Sequence, residues 1–171
     1  MSLTRTIPFD WRFGLALLGL IVLIPLAWYL GSPLILNRSV TEALPMTVAT
    51  GPRPIAQGSF GIVDGIHHGQ GTATLLDLTD GARVLRFSDF TVTNGPDLYV
   101  YLSANPAPRT SAQLHEGGAF EVAALKGNVG DQNYTLPADL KLHEFKSVVI
   151  YCRRFSVVFS SAPLRIGASI P

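Results

Sequence analysis

No charged residue stands between Arg12 and Arg38. The stretch between them, FGLALLGLIVLIPLAWYLGSPLILN from Phe13 to Asn37, is apolar on every side of a helical wheel. It has no polar face to turn to water, so it cannot pack as an ordinary amphipathic helix. A bilayer core takes about 20 apolar residues in a helix, and this run is long enough to cross with some tilt. Trp11 lies at one end and Trp28 with Tyr29 towards the other, as interfacial aromatic belts require. Helical rise sets the two tryptophans roughly 25 Å apart, near one hydrocarbon thickness. Pro25 would break a soluble helix but is tolerated in lipid. A cleaved signal peptide would need small residues where Trp28, Tyr29 and Leu30 stand. The expectation is an uncleaved single-pass anchor over residues 13–36, with membrane lipid as its partner.

The flanks set the orientation. Arg5, Arg12 and the terminal amine face one acid, Asp10, on the N-terminal side, whereas the far side has Arg38 and then Glu42. The positive-inside rule places residues 1–12 in the cytoplasm and everything after the anchor outside the plasma membrane. The chain's net charge is +1 and it has no long basic run, so nucleic acid is not a partner class. Its single cysteine excludes an intrachain disulfide and a multi-cysteine metal site.

Residues 37–57 mix Pro45, Pro52, Pro54 and Gly51 with polar residues and read as a partly extended linker. Asn37-Arg38-Ser39 and Asn133-Tyr134-Thr135 are glycosylation sequons, which matter only in a glycosylating organism. From residue 58 to 166 the periodicity is that of strands, and residues 167–171 form a tail. Phe60, Ile62 and Ile66 suggest a first strand, and Thr72–Leu78 with Val84–Phe87 a hairpin turning at Thr79-Asp80-Gly81. Leu98, Val100 and Leu102 alternate with Tyr99 and Tyr101 after an Asn94-Gly95-Pro96-Asp97 turn. Residues 104–118 read as a loop, Phe120–Leu125 and Gln132–Leu136 as strands, and Asp139–Phe145 as a short helical turn. The segment KSVVIYCRRFSVVFSSAPL, residues 146–164, is apolar on both parities up to Cys152, which predicts a strand buried on both faces. Phe155, Val157 and Phe159 then resume the alternation. No long amphipathic helix follows the anchor, so the outer domain is expected to be an antiparallel β-sandwich or flattened barrel.

Several of these segments resemble one family: GSF at 58–60, HHGQGTATL at 67–75, RVLRFSDFTVTNGPDLYVYLS at 83–103, ALKGNVGDQNYTLP at 124–137 and FKSVVIYCRRFSVVFSSAPL at 145–164. Together they are similar to the DM-thirteen domain, the electron-transfer domain of the Skeletor type that often accompanies DOMON domains and b-type membrane cytochromes. The resemblance implies an all-β extracytoplasmic domain, a family cysteine that falls on Cys152, and a redox role through a bare thiol or a prosthetic group such as haem. It also implies a membrane cytochrome or other redox protein as partner.

Two readings of Cys152 stand beside each other. An unpaired cysteine is unusual outside the cytoplasm, and Arg153 and Arg154 would favour its thiolate if they pointed at it. Yet it shares parity with Val148 and Ile150, and free cysteines are commonly core residues. His67 and His68 sit in a glycine-rich loop and supply one imidazole ligand between them; His67 is the candidate cofactor partner of Cys152 should that residue bind haem or copper. His115 and His143 read as isolated surface residues. Asp89, Asp97 and Asp131 read as turn residues, since no EF-hand spacing is present to make them calcium ligands. Tyr99, Tyr101, Tyr134 and Tyr151 read as half-buried strand residues. No phosphate loop, dinucleotide fingerprint, HExxH or nucleophile elbow occurs, so no catalytic motif names an enzyme, and both metal and cofactor stay unassigned. The functional expectation is a membrane-anchored extracytoplasmic redox domain centred on Cys152. The alternative is a cofactor-free binding or adhesion module with Cys152 as a buried structural residue.

Overall fold

The computed structural model describes residues 11–44, 51–78 and 81–167. They fall into two compact units, one up to Leu36 and one from Asn37 onward. In the first, α1 spans Trp11–Ile35. Its apolar side chains are exposed along the whole described length, from Trp11 and Phe13 through Ile21 and Ile24 to Trp28. Among the described residues no helix is long and apolar enough to cross a membrane.

The second unit is two antiparallel sheets. The strands are β1 (Arg53–Ser59), β2 (Gly69–Asp77), β3 (Arg83–Val92), β4 (Leu98–Ser103), β5 (Ala119–Ala124), β6 (Gln132–Leu136), β7 (Ser147–Cys152), β8 (Val157–Pro163) and β9 (Arg165–Ile166). One sheet has the order β6-β3-β2-β1-β9 and the other β5-β4-β7-β8, so the unit is a sandwich and not a closed barrel. Alternate residues of both sheets fill the space between them. Phe60, Phe87 and Phe90 meet with ring centroids 4.8–5.0 Å apart, and Tyr134 stands 5.3 Å from Phe87. Leu75, Leu85, Val100, Leu102, Val148 and Ile150 complete that core.

A second, smaller cluster lies on the outer face of the four-stranded sheet. Tyr101, Val149, Tyr151 and Val158 point outward there and are covered by Val63 and Leu114. Leu114 belongs to α2 (Ser111–His115), a short helix inside the segment expected to be loop. Thr110 caps it by accepting the N–H of Gln113. The cover explains why β7 is buried at all six positions: its two apolar parities serve two different cores.

Three other expectations shift. Residues 60–68 form a loop rather than a first strand; the strand precedes it, as β1, and takes up residues 53–57 of the expected linker. The linker's opening is no tether either. Val40 N–H donates to Val129 O (2.9 Å), Glu42 N–H to Asp131 O (3.0 Å), and Ser39 bridges Val129 in parallel fashion. This strap passes so close to the 125–131 loop that a Cβ on Gly127 would stand 2.3 Å from Arg38 O, and one on Gly130 2.1 Å from Val40 O. Lys126 Nζ holds Glu42 at 2.7 Å, and that hydrogen bond, before all else, keeps the Glu42 carboxyl below its ordinary pKa. The alternation through Phe155 is broken, because 153–156 is a turn and β8 starts at Val157. The short helical turn expected within Asp139–Phe145 is present, as a 3-10 turn at Leu142–Glu144. The expected Thr79-Asp80 turn, the 45–50 part of the linker, and residues 1–10 and 168–171 lie outside the described residues.

Candidate functional site

Cys152 is the last residue of β7. It pairs across to Leu98 of β4 and Val157 of β8. Parity with Val148 and Ile150 turns its thiol inward, and it is 0% exposed within the apolar core between the sheets. The arginines that follow do not serve it. Arg153 places its guanidinium 4.3 Å from the Tyr99 ring centre and pairs with Glu121 at 3.2 Å, on the outer face. Arg154 is exposed in the turn.

His67 is built by the loop before β2. Asp64 Oδ1 accepts the N–H groups of Ile66 (2.8 Å) and His67 (2.7 Å), and its Oδ2 lies 2.8 Å from His67 Nδ1. An ionised carboxylate only accepts, so the proton between them sits on Nδ1, and Asp64 fixes the orientation of the ring. The His67 side-chain bond, then those two backbone N–H groups, hold the Asp64 carboxyl down to about 2. The imidazole packs on Phe159, centroid to centroid 4.4 Å. Phe159 belongs to the core that contains Cys152, so the histidine and the thiol lie towards the same end of the sandwich. None of the described contacts joins them directly. His68 takes a different role: its backbone and ring engage Thr93 Oγ1, which ties the loop to the turn after β3.

The remaining candidates are structural. Asp131 receives Arg86 Nη2 at 2.5 Å and the Asp89 N–H at 2.9 Å. Asp97 contributes its carbonyl to Arg153 N–H (3.0 Å). His143 is exposed, and His115 stands edge-on to Tyr101 and Tyr151 at 6.4 and 6.2 Å. Tyr101 donates its hydroxyl to Glu121, and burial, ahead of that bond, pushes its pKa up. Tyr151 shares a hydrogen with Ser111 Oγ at 2.8 Å. Tyr134 is the inward tyrosine, bonded to Gln132 Oε1 at 2.7 Å; burial raises its pKa as well. Both sequon asparagines are engaged, Asn37 with Asn128 Nδ2 (2.8 Å) and Asn133 with Ala43 O (2.8 Å).

In this conformation the residues do not fit a haem or a metal ion. The thiol is sealed, and no three His, Cys, Asp or Glu side chains gather into a ligand set among the described residues. A surface cleft of about 380 Å³, lined by Ile55, Asp77, Arg83 and residues 138–143, lies at the other end of the sandwich. What the arrangement offers chemically is one protected thiol beside a turn and one oriented imidazole. Sequence reasoning overlooked Asp64, although an aspartate three residues before His67 was there to be read.

The domain is thus a two-sheet β-sandwich with one buried free thiol at the end of a central strand. The chain belongs to the family described as electron transfer DM13, whose model matches residues 60–164. No curated protein and no solved structure gives a significant match.

Proposed function

We propose that this protein is a membrane-anchored, extracytoplasmic electron-transfer domain whose redox centre is Cys152. Family membership is the observation that carries the redox role. Cys152 is the only thiol in the chain, and it sits directly before a turn in which Arg153, Arg154, Phe155 and Ser156 are all exposed. We take the route to its sulfur to be a local opening at the β7–β8 turn rather than separation of the sandwich. Local openings of that kind cost less than global unfolding. His67, packed on Phe159 towards the same end of the sandwich, is the candidate partner of the thiol on opening. The anchor reading is supported by the apolar surface of α1, which water would not tolerate as a contiguous patch. The N-terminus lies in the cytoplasm, and the electron partner is a membrane cytochrome or another redox protein.

The test is a visible spectrum of the detergent-solubilised full chain, purified without reductant and compared with Cys152→Ser. A band lost in the variant establishes a cofactor held by the thiol. A colourless protein whose thiol reacts in native buffer supports a bare-thiol centre. The full burial of Cys152 favours a second reading, a cofactor-free binding module. That reading takes over if the protein is colourless, stays so with added haem or copper, and reacts only when unfolded.

A further inference from the structure

Four connections meet at one end of the sandwich: the 60–68 loop, the 93–97 turn, the 125–131 loop and the 153–156 turn. The pairing puts them together. Gly69 faces Val92, Leu98 faces Cys152, Leu125 N–H donates to Leu98 O, and Val92 N–H donates to Asn128 O. The chain also enters the domain here. Arg38 N–H donates to Asn128 Oδ1 at 2.7 Å and Asn128 Nδ2 to Asn37 Oδ1 at 2.8 Å, after which the strap runs away from this end towards Asp131 and Asn133. In sequence, residue 37 directly follows the stretch assigned to the membrane.

The same end carries Ile62, Ile66 and Phe155, exposed by 73%, 70% and 62%. Single exposed apolar residues are ordinary. Two in the 60–68 loop and one in the 153–156 turn, all at the end the chain enters, are not explained by folding. Arg154 adjoins Phe155 in its turn and Arg38 stands where the chain enters; both are exposed, and neither is in an ion pair among the described residues. Most acids nearby are engaged: Asp64 with His67 and Glu121 with Arg153, leaving Asp97 half-buried and Asp89 on the shoulder. The opposite end differs, with Asp139, Lys141, His143, Glu144 and Lys146 exposed.

We infer that the end bearing Ile62, Ile66 and Phe155 rests on the lipid surface. The apolar tips enter the boundary between headgroups and acyl chains, and Arg38 and Arg154 lie among the lipid phosphates. Bulky apolar residues flanked by arginines are the chemistry of interfacial insertion. The inference rests on the anchor reading. It deepens that reading, because Cys152 and His67 lie at the same end and would meet an electron partner at the membrane plane.

The experiment uses the full chain with Trp11→Phe and Trp28→Phe, reconstituted in phosphatidylcholine–phosphatidylglycerol vesicles with brominated acyl chains. A single tryptophan is introduced by Phe155→Trp, Ile66→Trp or, at the opposite end, His143→Trp; all three sites are exposed, so folding is preserved. Emission from the first two is expected to be quenched at least about two-fold, with a blue shift, and that from the third to be unquenched. Equal emission from all three positions overturns the inference. Alkaline extraction separates the two claims. A chain that resists extraction while Phe155→Trp stays unquenched keeps the anchor and sinks the docked end. A chain that is extracted, but was quenched beforehand, keeps the docked end and sinks the anchor. Extraction without prior quenching sinks both.

Discussion

The two faces of β7 are equally buried and chemically unlike. Inward, Val148, Ile150 and Cys152 meet side chains from the other sheet in an apolar core, and the thiol has no polar partner among the described residues. Outward, Val149 and Tyr151 lie under Val63 and Leu114, where hydroxyl groups are bonded to Ser111 and Glu121. One strand thus holds its thiol among apolar side chains and its tyrosine hydroxyl in a hydrogen bond. Burial alone does not distinguish a core from a site; what the buried atom is bonded to does.

The largest effect that would sharpen this contrast comes from the inner face. Ile150→Ala is expected to cost about 2–5 kcal/mol in chemical denaturation, since a fully packed position leaves a cavity. A loss under about 1 kcal/mol would mean that the inner core is loosely packed. Next, Cys152→Ser is expected to destabilise by about 1–3 kcal/mol, because a hydroxyl is left unsatisfied among apolar side chains. Cys152→Ala, which leaves no polar atom to satisfy, should be the milder change. The reverse order would mean that water or a polar group reaches the thiol. On the outer face, Tyr151→Phe and Ser111→Ala should each cost about 0.5–1.5 kcal/mol, and the double variant less than their sum. Strict additivity would break the claimed bond between them.

The smallest effect lies at the rim, in Asp64. Its folded pKa is depressed, so its contribution is present above the ordinary value of 3.8 and is lost as pH falls towards about 2. Asp64→Asn should remove that slice of acid sensitivity, seen as a flatter stability–pH curve between those limits. An unchanged curve would mean that the His67 contact is not made in solution.

The strands were legible wherever alternation was unbroken. Leu98–Ser103, Gln132–Leu136 and Ser147–Cys152 all follow period two. Apolar residues on both parities before Cys152 already implied burial on both faces, which the structure shows. The cover of the second core was not readable, because α2 is five residues long and its one buried residue, Leu114, stands in a polar, proline-broken segment. The strap was illegible for another reason: it is held by backbone bonds to Val129 and Asp131 and by side chains far along the chain, such as Asn133, whose Nδ2 donates to Ala43 O. Nothing in the local sequence of 38–43 encodes such contacts. Only the close approaches at Gly127 and Gly130 mark where it docks, and a glycine in a turn has a ready local explanation. For the site, the sequence gives the residue types, whereas the direction of the Cys152 thiol and the diversion of Arg153 to Tyr99 and Glu121 come from the second sheet and from β5.

The most direct test of the central claim is the rate at which Cys152 reacts with a thiol reagent in the folded full chain, followed across low denaturant concentrations. A redox centre reached by opening the β7–β8 corner gives labelling far faster than global unfolding allows, with little dependence on denaturant. Labelling that keeps pace with global unfolding at every concentration would contradict the account and leave Cys152 as a structural residue of the core.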